Sequence, residues 1–315
     1  MRRVLVTGVT GFVGANLAKA LYERGYEVFG LARSIKEHSS YRLLNVDINM
    51  MFGDVRDRSL IYNIIIRNDI DVIYHLAAVA IVKQAHKDPW FTVETNIMGT
   101  LSVLEACREL GCSVIYMSTD KVYGEGLRKL ETDPYNPVDI YGATKASADL
   151  IARIYAKTYD VNVVVARSCN VYGPGDTNPR IIPNTIRKCL KGEKPFIYKN
   201  YKGAREYIYI DDLVNALIFL GQRINNLMVR REVFNIGTGE VKTQEEVVLE
   251  ITKHFKTEPV YIEPPPDLKI EINEQSLDYS KIYTLGWRPE VKFSEGIKRT
   301  IEWWRAVVRS GRLRI

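Results

Sequence analysis

A tyrosine and a lysine four residues apart, Tyr141 and Lys145, have the clearest potential for chemistry in this chain. On a helix, side chains four positions apart lie on one face, one turn from each other. A nearby ammonium group lowers the pKa of a phenol, so this tyrosine could remove a proton from an alcohol. Thr119, at the end of an earlier apolar stretch, could hydrogen-bond the same oxygen. Taken alone, the pattern also fits two ordinary surface residues.

Three glycines spaced three apart follow a short apolar strand that begins at Val4. Gly8 permits a sharp turn, Gly11 permits close approach of a pyrophosphate, and Gly14 permits the next helix to pack on the sheet. The N–H groups that open this helix would face the phosphates. A tight turn needs glycine even without a ligand, but this spacing resembles that of the short-chain dehydrogenase/reductase superfamily. The residues we assign to a dinucleotide site here are Gly8, Thr10, Gly11, Phe12 and Val13.

The pattern of strands and helices must position these groups. Strands and helices alternate through the first half, which predicts an α/β fold with a doubly wound parallel (Rossmann) sheet. The predicted strands are 4–7, 26–31, 48–52, 72–76, 113–118 and 162–167, and the longer predicted helices are 57–67, 89–110 and 140–158. Prolines cluster in the second half, where we expect a smaller α+β substrate domain. The predicted domains are residues 1–168 plus 211–238, and residues 169–210 plus 239–315.

The residues that follow the predicted strands indicate which dinucleotide binds. Dehydrogenases that prefer NAD usually place an acidic residue after the second strand. This chain has Arg33 and Ser34 there, which could hold a 2′-phosphate and therefore favour NADP over NAD. The superfamily resemblance implies that Asp54 and Val55 clamp the adenine, with plain loop residues as the alternative. Further cofactor residues are expected to be Leu76, Ala77, Ala78 and Asn96.

Composition narrows the class of protein. The 315 residues are 46% apolar and 26% charged, and no apolar run approaches the ~20 residues of a membrane helix. The chain enters a strand at once, which leaves no room for a signal peptide, so we expect a cytoplasmic protein. The net charge of +6 includes arginines of the last helix, which we interpret as a solvated helix end rather than a nucleic-acid surface. The cysteines have no metal-ligand spacing, so we expect free thiols and no metal site; they are Cys107, Cys112, Cys169 and Cys189.

Segments from Val4 to Trp304 resemble the extended short-chain dehydrogenase/reductase family that acts on nucleotide sugars. Besides the glycine turn and the Tyr–Lys pair, the matching segments are His75–Ala78, Thr95–Thr100, Asn170–Pro174, Arg205–Asp211, Phe234–Gly239 and Leu285–Trp287. This resemblance implies a bound NAD(P), a nucleotide-diphosphate sugar as substrate, and a homodimer. The helices 89–110 and 140–158 would pair across that dimer through Ile97, Leu101, Leu104, Leu150 and Ile154.

The residues after Thr119 distinguish subfamilies within this resemblance. 4-Epimerases usually carry small and hydroxyl residues there, whereas this chain has Asp120 and Lys121. An Asp–Lys pair is similar to CDP-glucose 4,6-dehydratases and to some UDP-N-acetylglucosamine dehydratases, and the stretches 175–183 and 271–278 resemble the CDP-glucose group. We therefore expect a 4,6-dehydratase, with CDP-glucose favoured and GDP-mannose or dTDP-glucose possible. The alternatives are a UDP-glucose 4-epimerase, in which Asp120 and Lys121 form a surface ion pair, and an NADP-sensing protein without turnover.

The resemblance to dehydratases also implies a mechanism. Tyr141 takes the C4-hydroxyl proton while hydride passes from C4 to NAD(P)+, and the new ketone acidifies the C5 proton. Lys121 removes that proton, for which its pKa must be depressed, or stays charged and stabilises the enolate. Asp120 protonates the departing C6 hydroxyl, and hydride returns to C6. The expected substrate ligands are Thr119, Asn170, Arg180 and Arg205, of which Arg205 matches a diphosphate best because a guanidinium binds phosphate oxygens in bidentate fashion.

Overall fold

The computed structural model describes residues 2–201, 203–265 and 272–315. Glu271, the first residue of one stretch that resembles the CDP-glucose group, lies outside them. The described strands are β1 (Arg3–Thr7), β2 (Glu27–Ala32), β3 (Asn49–Phe52), β4 (Val72–His75), β5 (Ser113–Thr119), β6 (Gly126–Lys129), β7 (Val163–Ser168), β8 (Asn170–Tyr172), β9 (Phe196–Tyr198), β10 (Ala204–Tyr209), β11 (Val233–Ile236), β12 (Val241–Thr243), β13 (Val260–Ile262) and β14 (Glu274–Leu277).

The helices alternate with these strands through the first half of the chain. They are α1 (Phe12–Glu23), α2 (Ser40–Leu43), α3 (Arg58–Asn68), α4 (Val82–Lys87), α5 (Pro89–Val93), α6 (Gly99–Leu110), α7 (Ile140–Thr158), α8 (Ile181–Leu190), α9 (Ile210–Gln222), α10 (Gln244–Thr252), α11 (Ser280–Thr284) and α12 (Phe293–Arg309). A 3₁₀ turn at Asp120–Val122 follows β5 directly. Among the described residues, no helix is both long and apolar enough to cross a membrane.

Seven parallel strands form the larger sheet in the order β11-β7-β5-β4-β1-β2-β3. Its central strands are apolar and buried on both faces, as in β1, where Val4, Leu5 and Val6 are fully buried. One core lies under α1 and α9, and a second lies under α3, α6 and α7. This confirms the predicted doubly wound α/β fold. The strand order reverses between β1 and β4, where such sheets bind ligands beyond the carboxyl ends of their strands.

A second, mixed sheet brings distant parts of the chain together in the order β12-β10-β14-β6. The first half of β10 pairs with β14, where Arg205 lies opposite Gln275, and its second half pairs with β8, where Tyr207 lies opposite Asn170. The strand β6 belongs to this sheet although its residues fall within the range 1–168. The strand β11, by contrast, returns to the edge of the larger sheet beside β7.

The prediction of one continuous α-helix over 89–110 is wrong, because a π-helical segment interrupts it. Asp88 caps α5 and Pro89 opens it, as predicted, but a π-helical segment at Glu94–Met98 separates α5 from α6. The Asn96 side chain, 1% exposed, accepts from the backbone N–H of Val79 (2.8 Å) and donates to the Thr144 hydroxyl (2.9 Å). The widened turn therefore lets Asn96 fasten the loop after β4 to α7.

Candidate active site

The glycine turn between β1 and α1 forms a cradle of backbone atoms. Gly8 has a φ of +69°, and a Cβ there would lie 2.8 Å from the backbone nitrogen of Ala77. Gly11 is the N-cap residue of α1, and no side chain of the described residues caps this helix. The first N–H groups of α1 are therefore available to an anion. This cradle, which a larger residue at Gly8 would fill, fits the pyrophosphate of a dinucleotide.

The remaining residues predicted for the cradle contribute in different ways. Thr10 and Val13 are half-buried at its rim. Phe12 and Val55 are each only 6% exposed, because their side chains pack in the two cores. Only the backbone atoms of Phe12 and Val55 could therefore meet a cofactor. Ala78 is half-buried beyond β4, at the same edge of the sheet.

A chain of buried hydroxyl and imidazole groups holds the far wall of the cradle. The Thr7 hydroxyl lies 2.8 Å from His75 Nδ1 and accepts from the backbone N–H groups of Leu76 and Ala77, both at 3.1 Å. His75 Nε2 lies 3.0 Å from the Thr100 hydroxyl, which donates to a backbone carbonyl. This network requires a neutral imidazole with the proton on Nε2. Burial lowers the pKa of His75 to about 3, in agreement with the neutral form.

The predicted adenine and ribose end of the site is crowded with charge. Asp54 is bound by Arg56 at 3.0 Å through each carboxylate oxygen. Burial opposes ionisation of Asp54, but the Arg56 hydrogen bonds outweigh burial and lower the pKa of this carboxyl. The guanidinium of exposed Arg33 lies 5.0 Å from the centre of the Phe91 ring, and Ser34 is exposed beside it. Arg33 therefore lies on an accessible rim, while the Asp54 carboxylate already has a partner.

The predicted catalytic pair lies in the first two turns of α7. Asp139 caps this helix by accepting from the Gly142 N–H at 2.7 Å, which places Tyr141 in the first turn and Lys145 one turn later. Lys145 Nζ donates to the Met117 carbonyl at 2.5 Å and lies 4.2 Å from the centre of the Tyr116 ring. The lysine is thus held against β5, with its amine at the carboxyl edge of the sheet.

Burial dominates the electrostatics of this pair. Burial raises the pKa of Tyr141 to about 12, although the Thr119 hydroxyl and Arg180 oppose that rise. Burial lowers the pKa of Lys145 to about 7, although Asp149 opposes that fall. Both groups are therefore biased toward their neutral forms. A further positive charge, such as an oxidised nicotinamide carries, is needed to bring the phenol pKa toward neutrality.

The turn after β5 brings together the other predicted catalytic groups. The Thr119 hydroxyl donates to Asp120 Oδ1 at 3.0 Å, and Lys121 Nζ lies 3.5 Å from the same oxygen. Asp120 is 1% exposed, and its Oδ2 atom is buried with no partner among the described residues. Burial lowers the pKa of Lys121, with Arg205 acting in the same direction and Asp120 opposing. The pKa of Lys121 is therefore lowered, which is the direction that a lysine base requires.

The other predicted substrate residues come from the second half of the chain. Asn170 opens β8 and donates to the Glu206 carbonyl at 3.1 Å. Arg205, half-buried on β10, donates to the carbonyls of Ala204 (3.0 Å) and Asn273 (3.1 Å), and its charge reaches Lys121. Arg180 is the N-cap residue of α8, and its charge reaches the phenol of Tyr141. Arg180 and Arg205 thus lie near two different catalytic groups.

A sequence model described as the NAD dependent epimerase/dehydratase family matches residues 4–237, which is most of the chain. The chain belongs to that family. This confirms the resemblance to extended short-chain dehydrogenases/reductases, and the chain is therefore an enzyme of the NAD dependent epimerase/dehydratase family.

Relatives within the family include both 4-epimerases and 4,6-dehydratases. A UDP-glucose 4-epimerase from Thermotoga maritima, solved with UDP-glucose, is 30% identical over 97% of this chain and 99% of that one, with a TM-score of 0.87. DesIV, a dTDP-glucose 4,6-dehydratase from Streptomyces venezuelae solved with NAD and TYD bound, is 30% identical over 96% and 97% of the two chains, with a TM-score of 0.86. A dTDP-glucose 4,6-dehydratase from Mycolicibacterium smegmatis is 30% identical over 96% of this chain and 93% of its own. These identities do not separate the two activities.

Glu206 is a buried residue of this enzyme whose role the sequence analysis missed. It is fully buried, and its carboxylate accepts from the backbone N–H groups of Thr238 (2.5 Å), Gly239 (2.6 Å) and Leu277 (2.8 Å). It therefore ties the strand that carries Arg205 to β14 and to the loop after β11. Burial raises the pKa of Glu206 to about 7. The sequence signal for this role was the alternation of side chains along β10, which turns Glu206 to the buried face of the strand.

The helix faces predicted for a dimer divide into two groups. Leu104 is fully buried in the core, so it cannot contribute to a seam. Leu150 and Ile154 on α7 are 48% and 46% exposed, and Ile97 and Leu101 are half-buried. A groove of about 620 Å³ lies between α6 and α7, lined in part by Leu101.

Proposed function

We propose that this chain is a nucleotide-sugar 4,6-dehydratase that converts CDP-glucose to a 4-keto-6-deoxy sugar. The observation that carries the proposal is the arrangement of Asp120 and Lys121. The carboxylate is almost fully buried with one oxygen lacking a partner, and the amine lies 3.5 Å from the other oxygen. Burying a carboxylate without a full set of partners is costly, which argues against a simple surface ion pair in a turn. A sugar hydroxyl would satisfy the free oxygen. GDP-mannose and dTDP-glucose are the other candidate substrates.

The first half of the reaction belongs to Tyr141, Thr119 and Lys145. The Tyr141 phenolate removes the C4-hydroxyl proton of the sugar, while the Thr119 hydroxyl orients the same oxygen. Lys145, held by the Met117 carbonyl on one side, lies one turn from the phenol and can bind a ribose hydroxyl. A nicotinamide dinucleotide, when bound, accepts a hydride from C4 and later returns it to C6.

The second half of the reaction belongs to Asp120 and Lys121. The ketone at C4 acidifies the adjacent C5–H bond, and the Lys121 amine removes that proton. Asp120, protonated at Oδ2, delivers that proton to the C6 hydroxyl, which leaves as water and creates a C5–C6 double bond. The C4-hydroxyl proton taken by Tyr141 balances the proton that Asp120 gives up, and exchange with solvent restores both groups. A proton is then added at C5 as C6 is reduced. Water is the only group lost, and the cofactor ends the cycle in its starting oxidation state.

The diphosphate of the substrate is proposed to bind Arg205, Asn170 and Arg180, in the domain formed by residues 169–210 and 239–315. Arg205 lies opposite Gln275 in the β10–β14 pair and its charge reaches Lys121, which supports a phosphate-binding guanidinium beside the proposed catalytic turn. Arg205→Met should raise the dissociation constant for CDP-glucose about tenfold or more, because a charge-assisted pair contributes about 1.5–3 kcal/mol. Arg128→Met, at a site with a side chain 82% exposed, is the matched control.

The cofactor is proposed to be NADP rather than NAD. Arg33 lies exposed at the end of β2 with its guanidinium stacked on Phe91, where it can reach a 2′-phosphate. Calorimetric titration should give a lower dissociation constant for NADP than for NAD, and Arg33→Ala should weaken NADP about tenfold while leaving NAD unchanged. Tighter binding of NAD by the wild-type protein would overturn this preference.

Product analysis tests the proposed function. The enzyme is incubated with NAD(P)+ and separately with CDP-glucose, GDP-mannose, dTDP-glucose and UDP-glucose, and the sugars are identified by NMR and mass spectrometry. The proposal expects a 4-keto-6-deoxy product, lighter than its substrate by one water, with Tyr141→Phe as the inactive control. A C4-inverted hexose alone would show an epimerase instead. Cofactor binding without turnover of any sugar would favour a sensor.

The second candidate function is a UDP-glucose 4-epimerase. It is favoured by the 30% identity to the Thermotoga maritima epimerase over nearly the whole chain. An epimerase needs Tyr141, Thr119 and Lys145 but not the Asp120–Lys121 pair. Replacement of Asp120 by asparagine would then leave turnover of UDP-glucose unchanged.

The proposed assembly is a homodimer through α6 and α7. The exposed Leu150 and Ile154 on α7 and the half-buried Leu101 on α6 are apolar side chains that a second copy of the chain would cover. Light scattering should give twice the monomer mass for the wild type, and Ile154→Glu should give the monomer mass. A wild-type protein with the monomer mass would contradict the dimer.

A further inference from the structure

Gln275 of β14 directs every polar atom of its side chain at the catalytic turn. The residue is fully buried, and its Nε2 donates to the carbonyls of Asp120 (2.9 Å) and Gly124 (2.8 Å). Its Oε1 accepts from Lys121 Nζ. The two carbonyls can only accept, so they fix the orientation of the amide and leave its oxygen facing the lysine. A residue 154 positions away in the chain thus holds both the backbone and the amine of this turn.

The contacts of Lys121 leave one direction at its nitrogen open. Gln275 Oε1 lies on one side, and Asp120 Oδ1 lies on another at 3.5 Å. A neutral amine has two N–H bonds and one lone pair. With both N–H bonds directed at these two acceptors, the lone pair takes the remaining tetrahedral direction. A freely rotating lysine would lose this orientation.

The groups around Lys121 act on its pKa in opposite directions, so an added charge would shift it. Asp120 on the same turn and Asp139 at the start of α7 favour the ammonium form, whereas Arg205 on β10 and burial favour the amine. Cys169, after β7, also lies close enough to feel the lysine charge. Gln275 offers an acceptor to the lysine without adding a negative charge. A carboxylate in its place would add a buried anion and stabilise the ammonium.

We propose that Gln275 is a positioning residue for the base of this reaction: it aims the Lys121 lone pair at C5 of the sugar and, being uncharged, lets the amine lose its proton. The inference rests on the proposed dehydratase function and deepens it. Gln275 also lies opposite Arg205 in the β10–β14 pair, so the same residue links the diphosphate ligand to the acid–base turn. Gln275 falls within the stretch 271–278, whose resemblance to the CDP-glucose group implied no role for this residue.

Gln275→Glu and Gln275→Met separate the two parts of the proposal. In Gln275→Glu, the acidic limb of the kcat–pH profile should move upward by about one unit, since a nearby carboxylate shifts a pKa by about 1–3 units. In Gln275→Met, loss of the C5 proton should slow about tenfold or more at every pH without that shift, because misplacing a reacting group by about 1 Å costs up to 10²-fold. The first oxidation, followed as nicotinamide absorbance in a single turnover, should be unchanged in both. Glu274→Gln, an exposed neighbour on β14, is the matched control.

Each result of this experiment has a distinct meaning. Wild-type rates and an unshifted pH profile in both variants would overturn the role of Gln275 while leaving the dehydratase proposal intact. A wild-type enzyme that forms no 4-keto-6-deoxy sugar would overturn the proposed function itself. If thermal melting shows that neither variant folds, Gln275→Asn decides, because it keeps an uncharged amide but withdraws it from Lys121 by one methylene. Loss of the C5 proton that is slowed about tenfold or more upholds the proposal, and a wild-type rate overturns it.

Discussion

The carboxylate of Asp149 accepts two hydrogen bonds from the guanidinium of Arg167, both at 2.9 Å, and neither side chain is more than 1% exposed. Asp149 lies on α7 one turn beyond Lys145, while Arg167 lies on β7. The same carboxylate also accepts from the Ser118 hydroxyl at 2.6 Å, directly before Thr119. This buried pair therefore fixes α7, which carries the proposed catalytic pair, against β5 and β7.

Removing one member of that pair should destabilise the fold strongly. Arg167→Met leaves Asp149 buried without its counter-charge, which typically costs about 3–5 kcal/mol in the free energy of unfolding. Urea denaturation followed by circular dichroism measures the change. The double variant Arg167→Met, Asp149→Leu should lose less, because it leaves no uncompensated charge. If the single variant lowers the free energy of unfolding by less than about 1 kcal/mol, the pair contributes no more than an exposed salt bridge, and the prediction is wrong.

Tyr141→Phe should abolish turnover while retaining the cofactor. The change removes only the phenolic oxygen, on a helix held at its start by the Asp139 cap. Single-turnover absorbance should show no reduced nicotinamide, and the dissociation constant for NAD(P) should change less than threefold, or about 0.7 kcal/mol. Turnover within tenfold of the wild type would remove Tyr141 from its proposed role.

Asp120→Asn should separate the two halves of the reaction. The amide keeps the shape of the carboxylate but cannot deliver the proton to the C6 hydroxyl, so loss of water should slow by about 10²-fold or more. Oxidation at C4 should stay measurable, and the reduced nicotinamide should therefore accumulate in a single turnover. Thr119 must remain oriented for this outcome, so Thr119→Val, which should slow C4 oxidation itself, is the comparison.

His75 should remain neutral across the pH range in which the enzyme is folded. Its folded pKa of about 3 lies below the unfolded value of 6.5, so protonation favours unfolding. His75 makes its full contribution to the free energy of unfolding above pH 6.5. As the pH is lowered from 6.5 toward 3, that free energy falls by about 1.4 kcal/mol per pH unit. Glu206 has the opposite pH dependence, because its pKa is raised from 4.5 to about 7. Its contribution to the free energy of unfolding is therefore lost as the pH rises between those values. Imidazole ¹⁵N NMR should show an unchanging Nε2–H tautomer from pH 8 to pH 5; a midpoint near 6.5 would contradict the network.

Local sequence signals predicted much of this architecture. The helix predicted over 140–158 has those bounds, because Asp139 supplies a strong N-cap and no helix breaker follows until its end. The strand predicted over 113–118 runs one residue further, to Thr119, and the glycine turn after β1 was likewise readable from a short stretch. The structure bears out these elements because each depends on residues within a few positions of each other.

Long-range contacts could not be predicted in this way. The register that sets Gln275 against Arg205 depends on how β14 finds β10, and no local pattern encodes it. The π-helical segment at Glu94–Met98 lets Asn96 accept from Val79 in the loop after β4, 17 residues earlier, and no local pattern encodes that contact. Burial also raises the pKa of Tyr141, and the tyrosine–lysine spacing does not reveal that burial.

Isotope incorporation from heavy water tests the central claim most directly. The enzyme is supplied with CDP-glucose in D2O, and the position of deuterium in the product is determined by NMR. A base removes the C5 proton, and a group that exchanges with solvent returns one. The account therefore predicts a 4-keto-6-deoxy sugar with one deuterium at C5. It predicts no deuterium at C6, because the hydride that reaches C6 comes from C4 of the unlabelled substrate. A product that keeps its C6 hydroxyl and carries no deuterium at C5 would contradict the account.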